Sequence, residues 1–340
     1  MRKPHLAVLG ATGVVGREIL SILIEENVEY ESIKFLASSR SAGKEIEFKG
    51  QKYIVEEATP ESFEGVNIVL ASAGGSTSLA LAKEAVKRGA VYIDNSSAFR
   101  MEKDVPLVIA GVNDDDLKWH KGIVANPNCS TSQLMLVLKP LHDYAKIKQM
   151  FVSTYQAVSG AGIEGIYELS EQMETIVNKK IDMTKHNEEL PHSKFKYQIA
   201  YNVIPAIGGF NEMGFSSEEM KLQNEGRKIM HLPEMKVCCT CVRVPVMRSH
   251  AISINLTTEN KLSLDQIRKA LSEADGVTYL DDPNAELYPM PLNTSDQDKV
   301  FVGRLREDPV YDNGIALWCC GDQIRKGAAT NAIQIAELFI

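Results

Sequence analysis

The N-terminal stretch constrains the fold more than any other. His5-Leu6-Ala7-Val8-Leu9-Gly10 reads as a short apolar strand and Gly10-Ala11-Thr12-Gly13-Val14-Val15-Gly16 as a glycine-rich turn. Arg17-Glu18-Ile19-Leu20-Ser21-Ile22-Leu23-Ile24 then has helical apolar spacing. Glycine permits a tight turn and close backbone approach, and the unpaired N–H groups at a helix start can hold a pyrophosphate. The spacing is G-x-x-G-x-x-G rather than G-x-G-x-x-G, a weak signal by itself. Between a strand and a helix it favours dinucleotide binding over a purely structural turn. Gly10, Thr12, Gly13, Val14 and Val15 are then candidate cofactor contacts.

The alternation continues through the first half. Strands are expected at Ser32–Ala37, Asn67–Ser72, Val91–Asp94, Pro106–Ala110 and Ile123–Ala125, with a helix over Ser78–Arg88. Strands alternating with helices make an α/β fold with a Rossmann-like, doubly wound parallel sheet, whose ligands bind beyond the carboxyl ends of the strands. The loops Gly10–Gly16, Ser38–Ser41, Ser72–Thr77, Asn95–Arg100 and Asn126–Ser132 all fall there. An NAD enzyme usually carries an acid at the end of its second strand, for the ribose 2′-hydroxyl. Here that end reads Ser38-Ser39-Arg40-Ser41-Ala42-Gly43-Lys44. Hydroxyls and an arginine suit a 2′-phosphate, so Arg40 and Ser41 point to NADP.

Into Ala125-Asn126-Pro127-Asn128-Cys129-Ser130-Thr131-Ser132 an apolar run, Gly122 to Ala125, leads, and a helical run, Ser132 to Leu138, leads out. Cys129 thus sits at a helix start, where orphan N–H groups and the dipole favour a thiolate. It is the candidate nucleophile.

The second half reads differently. A long strand, Met150–Val158, leads into Ser159-Gly160-Ala161-Gly162 and a helix from Ile163 to about Asn178. Asp182–Lys196 is polar and reads as a loop. Ser216 with Glu219 is a capping-box pattern opening a helix on which Glu218 and Lys221 share a face. Val237–Val244 and His250–Thr257 are strands, Ser263–Ala274 a helix, Val300–Leu305 and Gly314–Cys320 strands, and Gly327–Phe339 a final helix. This half is expected to form an α+β domain with a mixed, largely antiparallel sheet. The expected division is 1–128 for the NADP-binding domain, joined by the C-terminal helix 322–340, and 129–321 for the α+β domain.

Composition bounds the function. The net charge is -8, which gives nucleic-acid binding no electrostatic support. No apolar stretch reaches the about 18 residues that a membrane helix needs, and Met1-Arg2-Lys3-Pro4 leads straight into a strand, so no membrane partner or signal peptide is expected. Six cysteines in 340 residues do not read as a disulfide scaffold. Cys238-Cys239-x-Cys241 lies in a strand with no partner pair to complete a metal site, so no metal is expected. Reduced thiols point to the cytoplasm.

The N-P-N-C-S-T core, S-T-Y-Q-A-V-S-G-A-G, E-E-M-K, C-V-R-V-P-V-x-R-x-H and G-D-Q-x-x-K-G-A-A resemble, in this order and spacing from Val8 to Glu337, the aspartate-β-semialdehyde dehydrogenase family of the bacterial type. The resemblance implies reversible, NADP-dependent reductive dephosphorylation of L-aspartyl-4-phosphate to L-aspartate-4-semialdehyde, on the route to lysine, threonine, methionine and isoleucine. It implies Cys129 as the nucleophile that forms a thioester, its backbone N–H as an oxyanion donor, His250 as the general acid/base, and Gln156 as an orienting amide. Arg243 pairs with the α-carboxylate and Glu218 with the α-ammonium. Arg100 and Lys221 hold phosphate, with Asn128 beside them, and Ser159, Gly160 and Gln323 meet the nicotinamide end. Glu219 is the rival to Glu218; Arg248 and His231 read as surface residues. The resemblance also implies a homodimer, with a tetramer as the alternative, and makes 129–321 the substrate, catalytic and dimerisation domain.

Two other readings stay open at this level. An N-acetyl-γ-glutamyl-phosphate reductase would use the same cysteine and cofactor, but its acylated amine has no need of Glu218. A non-catalytic NADP-binding homologue would lack at least one of Cys129, Gln156 and His250, all of which are present.

Overall fold

The computed structural model describes residues 3–185 and 189–340. Of the polar segment expected over Asp182–Lys196, residues 186–188 lie outside the described residues, as do Met1 and Arg2. The chain divides into two compact units, one made of Met1–Met135, Glu225–Pro233 and Ile324–Ile340, the other of Leu136–Asn224 and Glu234–Gln323.

In the first unit, β1 (His5–Leu9) leads through the glycine turn into α1 (Val14–Glu25) and back to β2 (Ser32–Ala37). A hairpin of β3 (Glu45–Phe48) and β4 (Gln51–Ile54), not read from the sequence, precedes the two-residue β5 (Glu56–Glu57). Then come β6 (Ile68–Ala71), α2 (Gly75–Lys87), β7 (Val91–Asp94), β8 (Ile123–Ala125) and α3 (Cys129–Ala145), which passes to the second unit at Leu136. The sheet order is β5-β2-β1-β6-β7-β8, and every pairing in it is parallel. The chain reverses direction of build between β1 and β6, which is the switch point where such sheets take ligands. Leu6, Val8, Phe35, Ile68, Leu70 and Ile93 from the strands share one core with Ile19, Ile22 and Leu23 of α1. Each such side chain contributes roughly 1.5–3 kcal/mol by leaving water.

Two expectations change here. Pro106–Ala110 is not a strand: it makes one bridge, Leu107 to Ala125, and stops. Side chains take the next amides instead, since Asn113 Oδ1 accepts from Ile109 N and Asn331 Oδ1 from Ala110 N, each at 3.0 Å. The final helix begins earlier and wider than expected, as a π-helical turn over Arg325–Ala329.

The second unit is built on β9 (Ile147–Gln156), with α4 (Ile163–Lys179) after it and then α5 (Ser217–Ile229), which belongs to it up to Asn224 and to the first unit from Glu225, before β10 (Lys236–Arg243) and β11 (His250–Thr258). Next come α6 (Leu264–Glu273), β12 (Val277–Tyr279), α7 (Pro291–Thr294), β13 (Val300–Glu307) and β14 (Gly314–Gly321). After the π turn, α8 (Thr330–Glu337) belongs to the first unit, where Ala332, Ile333, Ile335 and Ala336 enter the core. The second sheet runs β10-β9-β11-β14-β13-β12. Only β10–β9 and β12–β13 are parallel, so it is mixed and largely antiparallel, as its alternating strands implied.

Candidate active site

In the first unit the glycine turn has the geometry that a phosphate cradle needs. Gly10 has φ +83°, and a Cβ there would stand 2.9 Å from Ser72 Oγ. A Cβ on Gly16 would stand 2.1 Å from the Gly10 carbonyl oxygen, so glycine lets α1 lie close against the turn. No side chain caps α1 at Gly13, and its first turn holds no acid. Those N–H groups at the switch point fit an anionic dinucleotide. Thr12, Val14 and Val15 line the turn half-buried, and Gly13 is exposed. Arg40 lies exposed in the loop after β2, beside the half-buried Ser41. That loop has no acid to repel a 2′-phosphate.

Cys129 is the first residue of α3 and is partly accessible. Its loop is tied by amides. Asn126, fully buried, donates from Nδ2 to Asn95 Oδ1 at 2.6 Å and to the Ala328 carbonyl at 3.1 Å, and its Oδ1 accepts from Asn331 Nδ2. Asn128 Oδ1 accepts from the N–H groups of Ser130 at 3.0 Å and Thr131 at 3.3 Å, so this oxygen caps the helix rather than pointing at a ligand. The π turn brings Gly327 against Cys129: a Cβ there would lie 2.9 Å from Cys129 Cβ. The thiols of Cys239, Cys319 and Cys320, by contrast, are buried and pushed up by desolvation, that of Cys320 to about 12. They are inert.

Arg100, 7% exposed, donates from Nε to the Asn126 carbonyl at 2.9 Å, from Nη2 to the Asn95 carbonyl at 2.8 Å and from Nη1 to Glu225 at 3.1 Å. A guanidinium has five N–H groups, so two remain for an oxyanion.

In the second unit three strand ends converge. β9 and β10 run parallel with Gln156 opposite Arg243, and antiparallel β11 starts beside them at His250. Sequence distance between these residues is thereby erased by register. Glu218 on α5 takes Gln156 Nε2 on Oε1 at 3.2 Å and Lys221 Nζ on Oε2 at 2.9 Å. Glu219 is spoken for: its Oε2 accepts from Ser216 N at 2.6 Å in the capping box, and its Oε1 from Cys241 N at 3.0 Å. So Glu218, not Glu219, is the carboxylate beside Gln156 and Lys221. Arg243 donates from Nη1 to the Ala157 carbonyl at 2.6 Å, faces the Phe195 ring and borders a cavity of about 750 Å³ lined also by Tyr197, Asn202 and Phe210.

His250 is fully buried. Its Nδ1 accepts from Ala157 N–H at 3.0 Å, which requires Nδ1 to be unprotonated and places the proton of the neutral ring on Nε2. The contact of Nε2 with Gln156 Nε2, at 3.5 Å, would want the opposite tautomer but is at the limit of hydrogen bonding. Burial, with Arg243 nearby, depresses the imidazole pKa from 6.5 to about 3; Glu218 opposes this. A Cβ on Gly160 would stand 3.0 Å from His250 Nε2 and from Arg243 Nη1, so glycine leaves both nitrogens approachable. Gln323 donates to Ser159 Oγ and accepts from Ser249 N at 2.8 Å, fixing the residue before His250.

Arg248 is not a plain surface residue: it donates from Nε to Asp322, whose side chain is fully buried. His231 is exposed, beside Asp116. The sequence reading missed Glu225, Lys228 and Asn331. Glu225 and Lys228 continue the Glu218/Lys221 face of α5 at helical spacing, a signal that was present; Asn331 has none, since its partners are far along the chain.

Residues 5–120 match the family described as "Semialdehyde dehydrogenase, NAD binding domain", and residues 138–326 match "Semialdehyde dehydrogenase, dimerisation domain". The chain is 49% identical to the aspartate-semialdehyde dehydrogenase of Bacillus subtilis, over 98% of this chain and 96% of that one. A crystal structure of aspartate semialdehyde dehydrogenase II complexed with ASA, from Vibrio cholerae, superposes with a TM-score of 0.94 at 38% identity, covering 100% of this chain and 98% of that one. The aspartate semialdehyde dehydrogenase of Candida albicans with NADP has a TM-score of 0.76 at 27% identity, over 99% and 98%. With these likenesses running end to end, the chain belongs to the aspartate-semialdehyde dehydrogenase family of oxidoreductases.

Proposed function

We propose that the chain catalyses the reversible, NADP-dependent reductive dephosphorylation of L-aspartyl-4-phosphate to L-aspartate-4-semialdehyde through a thioester on Cys129. The observation that carries this reading is the meeting of Gln156, Arg243, His250 and Glu218 at one end of the second sheet. A carboxylate, a guanidinium, an amide and a neutral imidazole suit a small zwitterion. Glu218 and Lys221 pair with each other at 2.9 Å. Substrate re-sorts the pair: its ammonium takes Glu218, its phosphate takes Lys221 and Arg100, and its α-carboxylate takes Arg243.

The Cys129 thiolate attacks the acyl carbon, the bond from that carbon to the phosphate oxygen breaks, and phosphate leaves into its cation site. When bound, NADPH supplies the hydride that reduces the thioester carbonyl. The oxyanion then accepts a hydrogen bond from His250 Nε2–H, and cleavage of the C–S bond returns the thiolate and releases the aldehyde. The acid/base role expected for His250 narrows accordingly: a neutral ring whose Nδ1 is occupied by a backbone amide offers a donor at Nε2. Gly10, Thr12, Gly13, Val14 and Val15 would hold the pyrophosphate, Arg40 and Ser41 the 2′-phosphate, and Ser159, Gly160 and Gln323 the nicotinamide end.

The NADP-bound Candida relative and the ASA-bound Vibrio relative support this choice of ligands. We assign the dinucleotide to 1–128 with 322–340, and catalysis and homodimer contacts to 129–321, with the enzyme serving lysine, threonine, methionine and isoleucine synthesis in the cytoplasm. Among the described residues no helix is long and apolar enough to cross a membrane. The test is reduction of NADP and of NAD with aspartate semialdehyde and phosphate, by wild type, Cys129→Ala and Arg40→Asp. Phosphate-dependent turnover lost in Cys129→Ala, and an NADP preference lost in Arg40→Asp, are expected. Full activity of Cys129→Ala refutes the thioester, and an unmoved preference in Arg40→Asp refutes the 2′-phosphate contact.

A further inference from the structure

Glu218, Lys221, Glu225 and Lys228 stand at i, i+3, i+7 and i+10 on α5, one helical stripe of alternating charge. The first pair belongs to the substrate chemistry proposed above. The second pair grips the anion site. The Glu225 side chain is 2% exposed, and its two oxygens serve different masters: Oε1 takes Arg100 Nη1 at 3.1 Å, and Oε2 takes the backbone N–H of Asn128 at 2.7 Å. One turn on, Lys228 Nζ donates to the carbonyl oxygens of Arg100 at 2.7 Å, Glu102 at 2.7 Å and Val105 at 2.8 Å. Arg100 is thus held by its side chain from Glu225 and by its main chain from Lys228.

We infer that Glu225 is a positioning residue, acting through Arg100 and Asn128 to hold the phosphate-binding guanidinium in fixed relation to the helix start that carries Cys129. Only a carboxylate does this. Glutamine could accept on one oxygen, but its NH₂ would then face either the guanidinium or the Asn128 N–H, donor against donor. Without Glu225, one of the three bonds that aim Arg100 is gone, and the two N–H groups left for an oxyanion lose their direction. The inference rests on the reading of Arg100 as a phosphate ligand and Cys129 as the nucleophile.

The experiment compares full-length wild type, Glu225→Gln, Arg100→Gln and the double variant, with inorganic phosphate varied at saturating aspartate semialdehyde and NADP. Glu225→Gln is expected to raise KM for phosphate by roughly tenfold or more while KM for NADP moves less than about twofold. In the Arg100→Gln background the same change adds less than about twofold, because the residue acts through the arginine. A phosphate KM that stays put, KM values that rise alike for all substrates, or an effect undiminished in the Arg100→Gln background overturns the inference. If Glu225→Gln does not fold, the double variant, which removes both buried charges together, is compared with Arg100→Gln alone and decides it by the same criterion. If wild type itself turns over no aspartate semialdehyde, the proposed function has failed separately. Iodoacetamide labelling of Cys129, followed by mass spectrometry, then decides the role of Glu225: a faster rate in Glu225→Gln supports it, and an unchanged or slower rate overturns it.

Discussion

Replacing His250 with glutamine isolates the titration of a buried imidazole from its hydrogen bonding. The folded pKa is about 3 against 6.5 when exposed, with burial the main cause. The sign follows from linkage: above pH 6.5 the ring is neutral in both states and costs nothing. Below it the unfolded chain binds a proton that the folded chain refuses, so stability falls by about 1.4 kcal/mol per pH unit until the folded pKa is reached. At pH 4.5 the loss from this one group is about 3 kcal/mol, and across the whole window about 5 kcal/mol. Glutamine has no such titration. Urea unfolding of wild type and His250→Gln from pH 7.5 to 4.5 should therefore show the wild type losing stability more steeply, with the gap opening only below pH 6.5. In turnover, kcat/KM of wild type should lack an imidazole inflection near pH 6.5, and the variant should keep part of the activity because its amide can still donate. Parallel acid limbs in unfolding refute the depressed pKa. An inflection near pH 6.5 that vanishes in the variant refutes the neutral-donor role.

Two further outcomes test other contacts. Gly327→Ala should cost roughly 1–3 kcal/mol, since its methyl would press on Cys129 Cβ at 2.9 Å, and should slow Cys129 alkylation; thermal unfolding and a thiol-labelling time course measure both. Glu218→Gln should raise KM for aspartate semialdehyde roughly tenfold, whereas Glu219→Ala should cost about 1–2 kcal/mol through the lost cap and the orphaned Cys241 N–H. Steady-state kinetics and denaturation on the two variants separate the neighbouring carboxylates.

Much of the first sheet is written locally. Apolar runs such as Leu6–Leu9 and Ile68–Ala71 are buried on both faces, so they stand out as continuous strands, and the glycines of the first turn mark the switch point. The β3–β4 hairpin escaped notice because its strands are mostly exposed and carry Glu45, Glu47, Gln51 and Lys52 in place of an apolar pattern. Pro106–Ala110 has a strand's composition, yet Asn113 and Asn331 claim the amides that a ladder would need. The π turn at Arg325–Ala329 has no marker that helical spacing can detect.

The candidate site divides the same way. Cys129 at a helix start, the capping box at Ser216 and Glu219, and the Glu218/Lys221 face are each local, because capping and i, i+3 neighbours depend on residues a turn apart. So is the acid-free loop around Arg40. What the sequence by itself determined is therefore most of the elements, the glycine turn at the switch point and the placing of Cys129 at a helix start. Only the tertiary structure decided that Glu219 is committed to backbone amides while Glu218 meets Gln156 and Lys221, that the Ala157 N–H places the His250 proton on Nε2, and that Glu225 joins Arg100 to Asn128. These are choices among chemically equal groups. They are settled by which strand end or helix turn arrives beside them, and the register of a sheet is set by packing across the whole unit rather than by neighbours in the chain.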